Sequence, residues 1–222
     1  HLETVHVASD WNLAGLRLPV QWVNRPNRPR DAALHDFRGY SGQIAGGVLR
    51  RGQEVVTLPS GLISKVKEIW TYDGKLQEAF CPQSVTLVLE HDLDISRGDM
   101  VVGLKDLPGM NGELHARICW MHQRPLTKGN RYFLKHTTQS VQAIITSVEN
   151  RINIHNFEPE STVNELTLNS IGEIRLKVSK PLIYDGYTGN RLTGSFILIE
   201  QGTNQTVGAG MLMPPLETLT PE

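Results

Sequence analysis

The chain has 222 residues, with 22 basic and 23 acidic side chains and a formal net charge of -1. That balance excludes a global positive field for nucleic acid, so any such surface would have to be a local patch. The length allows one large or two ordinary domains, and no apolar run approaches the roughly eighteen residues of a membrane span, so a soluble cytoplasmic protein is expected.

In chain order, His1-Leu2-Glu3-Thr4-Val5 places Leu2 and Val5 on one side of a helical turn, and residues 1–13 read as a linker or the tail of an upstream domain. A short disordered leader is the alternative. Leu16, Leu18, Val20 and Trp22 then alternate with Arg17, Pro19 and Gln21, which predicts a strand with one apolar face and, because of Pro19, an edge position. Asn24 to Asp31 carries prolines and three arginines and is expected to be an exposed basic loop. Such a loop offers docking for an acidic partner or a phosphate, although a merely solvated loop is the commoner outcome. Phe37 to Gly42 reads as an Arg-Gly corner, and Tyr72-Asp73-Gly74-Lys75 as a hairpin turn. Short apolar runs at 44–49, 54–58, 66–70 and 85–89 lead to a second corner, Asp94 to Asp99, that feeds a barrel-closing strand. Six or seven short strands without a helix between them favour a closed barrel over residues 14–105, since closure leaves no unpaired edge.

Residues 106–112, rich in Gly and Pro, read as a linker. Leu114, Ala116, Ile118 and Trp120 restart the alternation, and strand-like runs continue to a second barrel over 113–213. Glu158 to Glu165 is expected to form a single helical turn, and Asn204-Gln205-Thr206 a hairpin rather than a glycosylation site. Cys81 and Cys119 lack any paired spacing and read as buried thiols. The eight histidines show no metal-ligand spacing. Phosphate loop, nucleophile elbow and carboxylate pair are all illegible here, so no catalytic, cofactor-binding or metal residue is assigned to the segment. Gly208-Ala209-Gly210 is read instead as a place where two strands or domains approach closely.

The order of Phe37 to Gly42, Gly46 to Gln53 and Asp94 to Asp99 resembles the second domain of translational GTPases such as elongation factor Tu, and Phe196 to Glu200 with Thr206 to Met211 resembles their third. Within that superfamily, Pro19 to Asn27, Leu58 to Gly61 and Thr193 to Ile197 resemble the large, GTP-binding subunit of bacterial sulfate adenylyltransferase. The resemblance implies an all-β pair of consecutive antiparallel barrels, with GTP and magnesium held by a domain upstream. It also implies a smaller catalytic subunit as partner, with which adenosine 5'-phosphosulfate is made from ATP and sulfate, and contact with the chain's own GTPase domain. Some members are fused to an adenylylsulfate kinase, to which 214–222 would suit a linker, a frayed terminus fitting equally well. Arg25, Arg28, Arg30 and Arg38 are the candidate partner-binding residues, although the inserted stretch from Arg28 to Ala33 departs from the family pattern. A translation-type GTPase whose barrels hold RNA or protein is the competing reading, disfavoured by the balanced charge and few aromatics.

Overall fold

The computed structural model describes residues 12–26 and 37–215. The N-terminal turn expected around Leu2 and Val5, the loop from Asn27 to Asp36 and the tail beyond Pro215 lie outside the described residues. No helix occurs among those described.

The first unit contains β1 (Arg17–Pro19), β2 (Trp22–Asn24), β3 (Gly39–Gln43), β4 (Val48–Arg50), β5 (Glu54–Leu58), β6 (Leu62–Thr71), β7 (Gly74–Leu76), β8 (Glu78–Phe80), β9 (Ser84–Leu89) and β10 (Met100–Gly103). The main sheet runs β1-β10-β5-β6-β9-β3-β2, with β4 and β8 forming a separate ribbon. Its two ends meet through Ala45 N–H donating to Arg17 O at 2.7 Å and Gln21 N–H donating to Ser41 O at 2.8 Å, so few edge groups stay unpaired. Leu18, Val20, Tyr40, Ile44, Leu49, Ile69 and Leu87 fill the interior.

Local readings change in three places and hold in a fourth. Leu16, Leu18 and Val20 are buried as expected, but Trp22 is 65% exposed, because the chain leaves β1 after Pro19 and restarts as β2, breaking the alternation. Phe37 to Gly42 is no corner: Gly39 to Gln43 is a strand paired to β2 and β9. The 72–75 hairpin forms one residue early, with Tyr72 and Asp73 in the loop and Gly74 already opposite Thr71. The Asp94 to Asp99 corner does feed β10. Gly98 takes φ 99° there, and the Asp99 carboxylate accepts from Ser96 N–H at 2.8 Å.

The second unit comprises β11 (Gly109–Trp120), β12 (Leu126–Thr127), β13 (Arg131–His136), β14 (Gln139–Ile152), β15 (Pro159–Glu160), β16 (Glu165–Leu166), β17 (Ile171–Tyr184), β18 (Ser195–Ile199) and β19 (Thr206–Leu212). The order β13-β18-β19-β11-β17-β14 closes on itself because β14 also pairs with β13, making a six-stranded antiparallel barrel. Leu114, Ala116, Ile118 and Trp120 all point into its core. Alternation therefore turns Cys119 outward, and it is only partly buried, whereas Cys81 is buried. Gly210 lies opposite Phe196, whose ring occupies the space a side chain would need, so these glycines serve strand packing within one barrel. The expected turn of helix after Glu158 is absent: Pro159 and Glu160 pair with Ile152 and Arg151, and the Arg151 guanidinium binds the Glu160 carboxylate at 2.6 and 3.0 Å.

The two units are joined by a polar clasp beside an apolar plug. Arg17, 2% exposed, donates from Nε and Nη2 to the Asp185 carboxylate at 2.9 and 2.8 Å and from Nη1 to Asp106 O at 2.8 Å. Thr193 Oγ1 donates to the same carboxylate at 2.6 Å, and the ring of buried His136 meets Thr193 O at 2.7 Å. Asn190 Nδ2 donates across to Ala45 O at 3.0 Å, and Gln139 Nε2 to Gly98 O at 2.8 Å. Val56, Leu58, Met100 and Val102 of the first unit pack with Ile183 of the second, flanked by Leu107 and Met110. Truncating one member of a buried, hydrogen-bonded ion pair leaves the other charge uncompensated. Arg17→Ala is therefore expected to cost about 3–5 kcal/mol in chemical denaturation; a loss under about 1 kcal/mol would show the pair to be solvated.

Burial pushes the His136 pKa down, only partly offset by its bond to Thr193 O and by nearby Asp185, so the ring stays neutral in the fold. The sign follows. Below the ordinary histidine pKa of about 6.5 the unfolded chain takes up a proton that the folded chain refuses, so stability falls as pH drops through that window. His136→Gln should flatten this acid slope relative to the parent in urea titrations from neutral to mildly acidic pH; an unchanged slope would assign it to other groups.

Candidate partner-binding site

Of the four arginines singled out from sequence, Arg25 and Arg38 are brought together, while Arg28 and Arg30 lie outside the described residues. The element that joins the two is the loop after β9. Asp92 presents one carboxylate oxygen to Arg38 Nη1 at 2.9 Å and the other to Arg25 Nη2 at 3.1 Å. Arg38 is the better held: its side chain is 17% exposed, its Nη2 lies 3.6 Å from Asp94, and its guanidinium sits 5.7 Å from the centre of the Tyr40 ring. The Tyr40 hydroxyl, in turn, donates to Leu93 O at 2.7 Å, tying strand β3 to the acidic loop. Burial works against the Arg38 charge, but the Asp92 hydrogen bond and the surrounding anions and phenol outweigh it, leaving its pKa above the ordinary value. Burial likewise raises the Tyr40 pKa, so the phenol remains a neutral donor.

These groups line a cleft of about 520 Å³ whose walls include Phe37, Lys67 and His91. The Nε of Arg38 is buried without a hydrogen-bond partner among the described residues. The cleft thus presents guanidinium donors on an aromatic floor, with Asp92 already neutralising part of the charge. A guanidinium group can in general hold a carboxylate by bidentate hydrogen bonding; here Asp92 is held by two separate arginines instead. Asp92, Arg25 and Arg38 are engaged with one another in ion pairs, and His91 on the cleft wall places Nδ1 3.2 Å from Ser64 Oγ.

Sequence reasoning missed Asp92 and Asp94, which look like ordinary turn residues, and the buried pair Arg17–Asp185, whose members are 168 positions apart. It also missed the exposed aromatic surface. Trp22, Trp70 and Tyr72 line a second cleft, of about 480 Å³, with Arg97 at its rim. Only the break after Pro19 hints that Trp22 turns outward.

The two consecutive antiparallel barrels have the fold of a translation-factor-like tandem barrel. Residues 113–213 match the family described as GTP-eEF1A C-terminal domain-like. Solved structures of Sup35 bound to GDP and to GMPPNP each superpose with a TM-score of 0.78 at 16% identity, covering 92% and 97% of this chain and 48% and 51% of theirs, a likeness of fold. More particularly, the chain is homologous over nearly its whole length to part of sulfate adenylyltransferase subunit 1 and of the CysN/CysC bifunctional enzymes. It is 42% identical to sulfate adenylyltransferase subunit 1 of Alteromonas mediterranea over 96% of this chain and 43% of that protein. To the bifunctional enzyme CysN/CysC of Rhodopirellula baltica it is 44% identical, over 96% of this chain and 32% of that protein. The CysN/CysC enzyme of Mycobacterium tuberculosis is 40% identical over the full chain, 36% of its own length. The chain thus spans between about a third and under half of these relatives.

The geometry separates the two arginines energetically. Arg38→Ala removes two ion pairs and a stacked ring contact from a mostly buried side chain and is expected to lower stability by about 1–2 kcal/mol. Arg25→Ala opens one exposed pair and should cost under about 0.5 kcal/mol. Thermal unfolding of the two variants checks the ranking, and equal losses would contradict it.

Proposed function

We propose that this chain is the barrel region of a GTPase subunit of sulfate adenylyltransferase, in which GTP-driven synthesis of adenosine 5'-phosphosulfate from ATP and sulfate serves sulfate assimilation in the cytoplasm. The observation that carries the reading is identity of 40–44% to subunit 1 and CysN/CysC proteins over essentially the entire chain. In that reading GTP and magnesium are bound upstream of these barrels, and the barrels contribute contacts. Their partners are the chain's own GTPase domain, a smaller catalytic subunit and, in the fused form, an adenylylsulfate kinase beyond the C-terminal tail. No helix among the described residues is long and apolar enough to cross a membrane.

Arg25, Arg28 and Arg30, stiffened by Pro26 and Pro29, together with Arg38, are assigned to an interface rim with the neighbouring domain or subunit. Guanidinium groups that are partly ordered beforehand lose less entropy on docking, and rim charges act mainly through association rate. The assignment is supported by the Arg25–Asp92–Arg38 cleft, in which two of the four already share one carboxylate. Replacing Arg25, Arg28 and Arg30 with Ser in the full-length subunit should slow assembly with the catalytic subunit. The slowing should be larger at low salt than at high, because screening removes most of the attraction at high ionic strength. Association rates that do not change across a salt series would return the loop to a solvated surface.

A further inference from the structure

The second barrel ends in a hairpin that displays apolar side chains. Beyond β14 the chain turns through Asn153-Ile154-His155-Asn156-Phe157-Glu158 and returns as β15. Ile154 is 61% exposed and Phe157 79%, although a tip of this size could be built wholly from polar residues. Phe157 also takes φ 60°, a backbone region that disfavours a bulky residue. Hydrogen bonds hold it there. Phe157 N–H donates to Asn153 O at 2.7 Å, Asn153 N–H to Glu158 O at 2.9 Å, and Asn156 Nδ2 to the Glu158 carboxylate at 2.8 Å. Asn153 Nδ2 donates to Glu160 at 3.0 Å, behind which Arg151 is anchored. Two large apolar groups are thus presented to solvent by a tip that is already ordered, which lowers the cost of inserting them elsewhere.

The position and charge of the tip indicate what receives it. Gln139, at one end of β14, touches Gly98 of the first barrel, and Ile152, at the other, leads into the tip. Fourteen residues of strand separate the tip from the barrel interface, roughly 40 Å at about 3.3 Å per residue. The described chain enters and leaves beside that interface. Asn12 Nδ2 bonds to Gly189 O, and Pro214 and Pro215 lie against Gly186 and Gly109. The tip lies at the end of β14 away from the interface, where it is open to a separate protein. Around the tip Glu160 is neutralised by Arg151, while Glu158 and Glu165 form no ion pair among the described residues, so the complementary receiving surface is an apolar cleft with a basic rim.

We propose that Ile154 and Phe157 are the apolar anchors by which the second barrel docks into a basic-rimmed apolar cleft on the smaller catalytic subunit, an inference that rests on the assembly proposed above. Binding of the full-length subunit to the catalytic subunit is measured by surface plasmon resonance for the parent, Ile154→Ser, Phe157→Ser and Phe157→Gly. Each substitution should raise Kd at least tenfold, chiefly through faster dissociation. Phe157→Gly is the decisive variant: it relieves the positive φ, so its melting temperature should equal or exceed the parent's while binding weakens. Binding unchanged in the three variants overturns the anchor and leaves the proposed assembly standing. Affinity and melting temperature falling together in Phe157→Gly also overturn it, because the ring would then be a structural element. A parent that does not bind the catalytic subunit removes both the proposed assembly and the anchor.

Discussion

The arrangement of the two barrels depends on one buried ion pair. Arg17 lies in the first strand of the first barrel and Asp185 just past the end of β17 in the second, and their bidentate contact is almost wholly removed from water. A guanidinium cannot shed its charge, so burial is tolerable only if all its donors are satisfied, and here Asp106 O and Leu16 O accept what the Asp185 carboxylate does not. The Asp185 carboxylate is itself committed by Thr193, whose carbonyl is bonded to His136. Rotation of one barrel against the other would strand a charge on each side. The apolar plug around Met100 and Ile183 supplies attraction without direction, and the clasp supplies the direction.

This has consequences for recognition. Isolated domains joined by a linker move independently by default, and partners that contact both must then order them at a cost in affinity. Here the Arg38 cleft of the first barrel and the hairpin tip of the second belong to one clasped frame. The proposed barrel region of a GTPase subunit would then transmit changes between neighbouring proteins as displacement of a single body.

The architecture was legible because β structure writes its burial into every second residue. Leu114 to Trp120 could be placed in a core from alternation alone, and the Asp94 to Asp99 corner from one glycine among turn formers. Readings failed where three-dimensional pairing overrode local pattern. Trp22 continued an alternation that the chain interrupts after Pro19, and Glu158 to Glu165 held helix-compatible residues that Arg151 and Ile152 recruit into a short strand. Arg38-Gly39 looks like turn chemistry, yet its glycine lies in a paired strand where the Phe37 ring and Thr86 leave no room for a side chain. Of the candidate site, the arginines were visible as a charge cluster. Their common acceptor Asp92 lies 54 positions from Arg38, and nothing local to it signals the pairing. The clasp itself was hidden for the same reason, since Arg17 occupies the polar phase of an alternating strand that would ordinarily face water.

The claim that the clasp makes the barrels one body is tested most directly by residual dipolar couplings of backbone amides in partially aligned solution. Couplings from the first barrel and from the second should fit a single alignment tensor, with the barrels oriented as the Arg17–Asp185 contact requires. Two tensors of different magnitude, one for each barrel, would contradict the account, because they would show the barrels reorienting independently across a contact held here to be rigid.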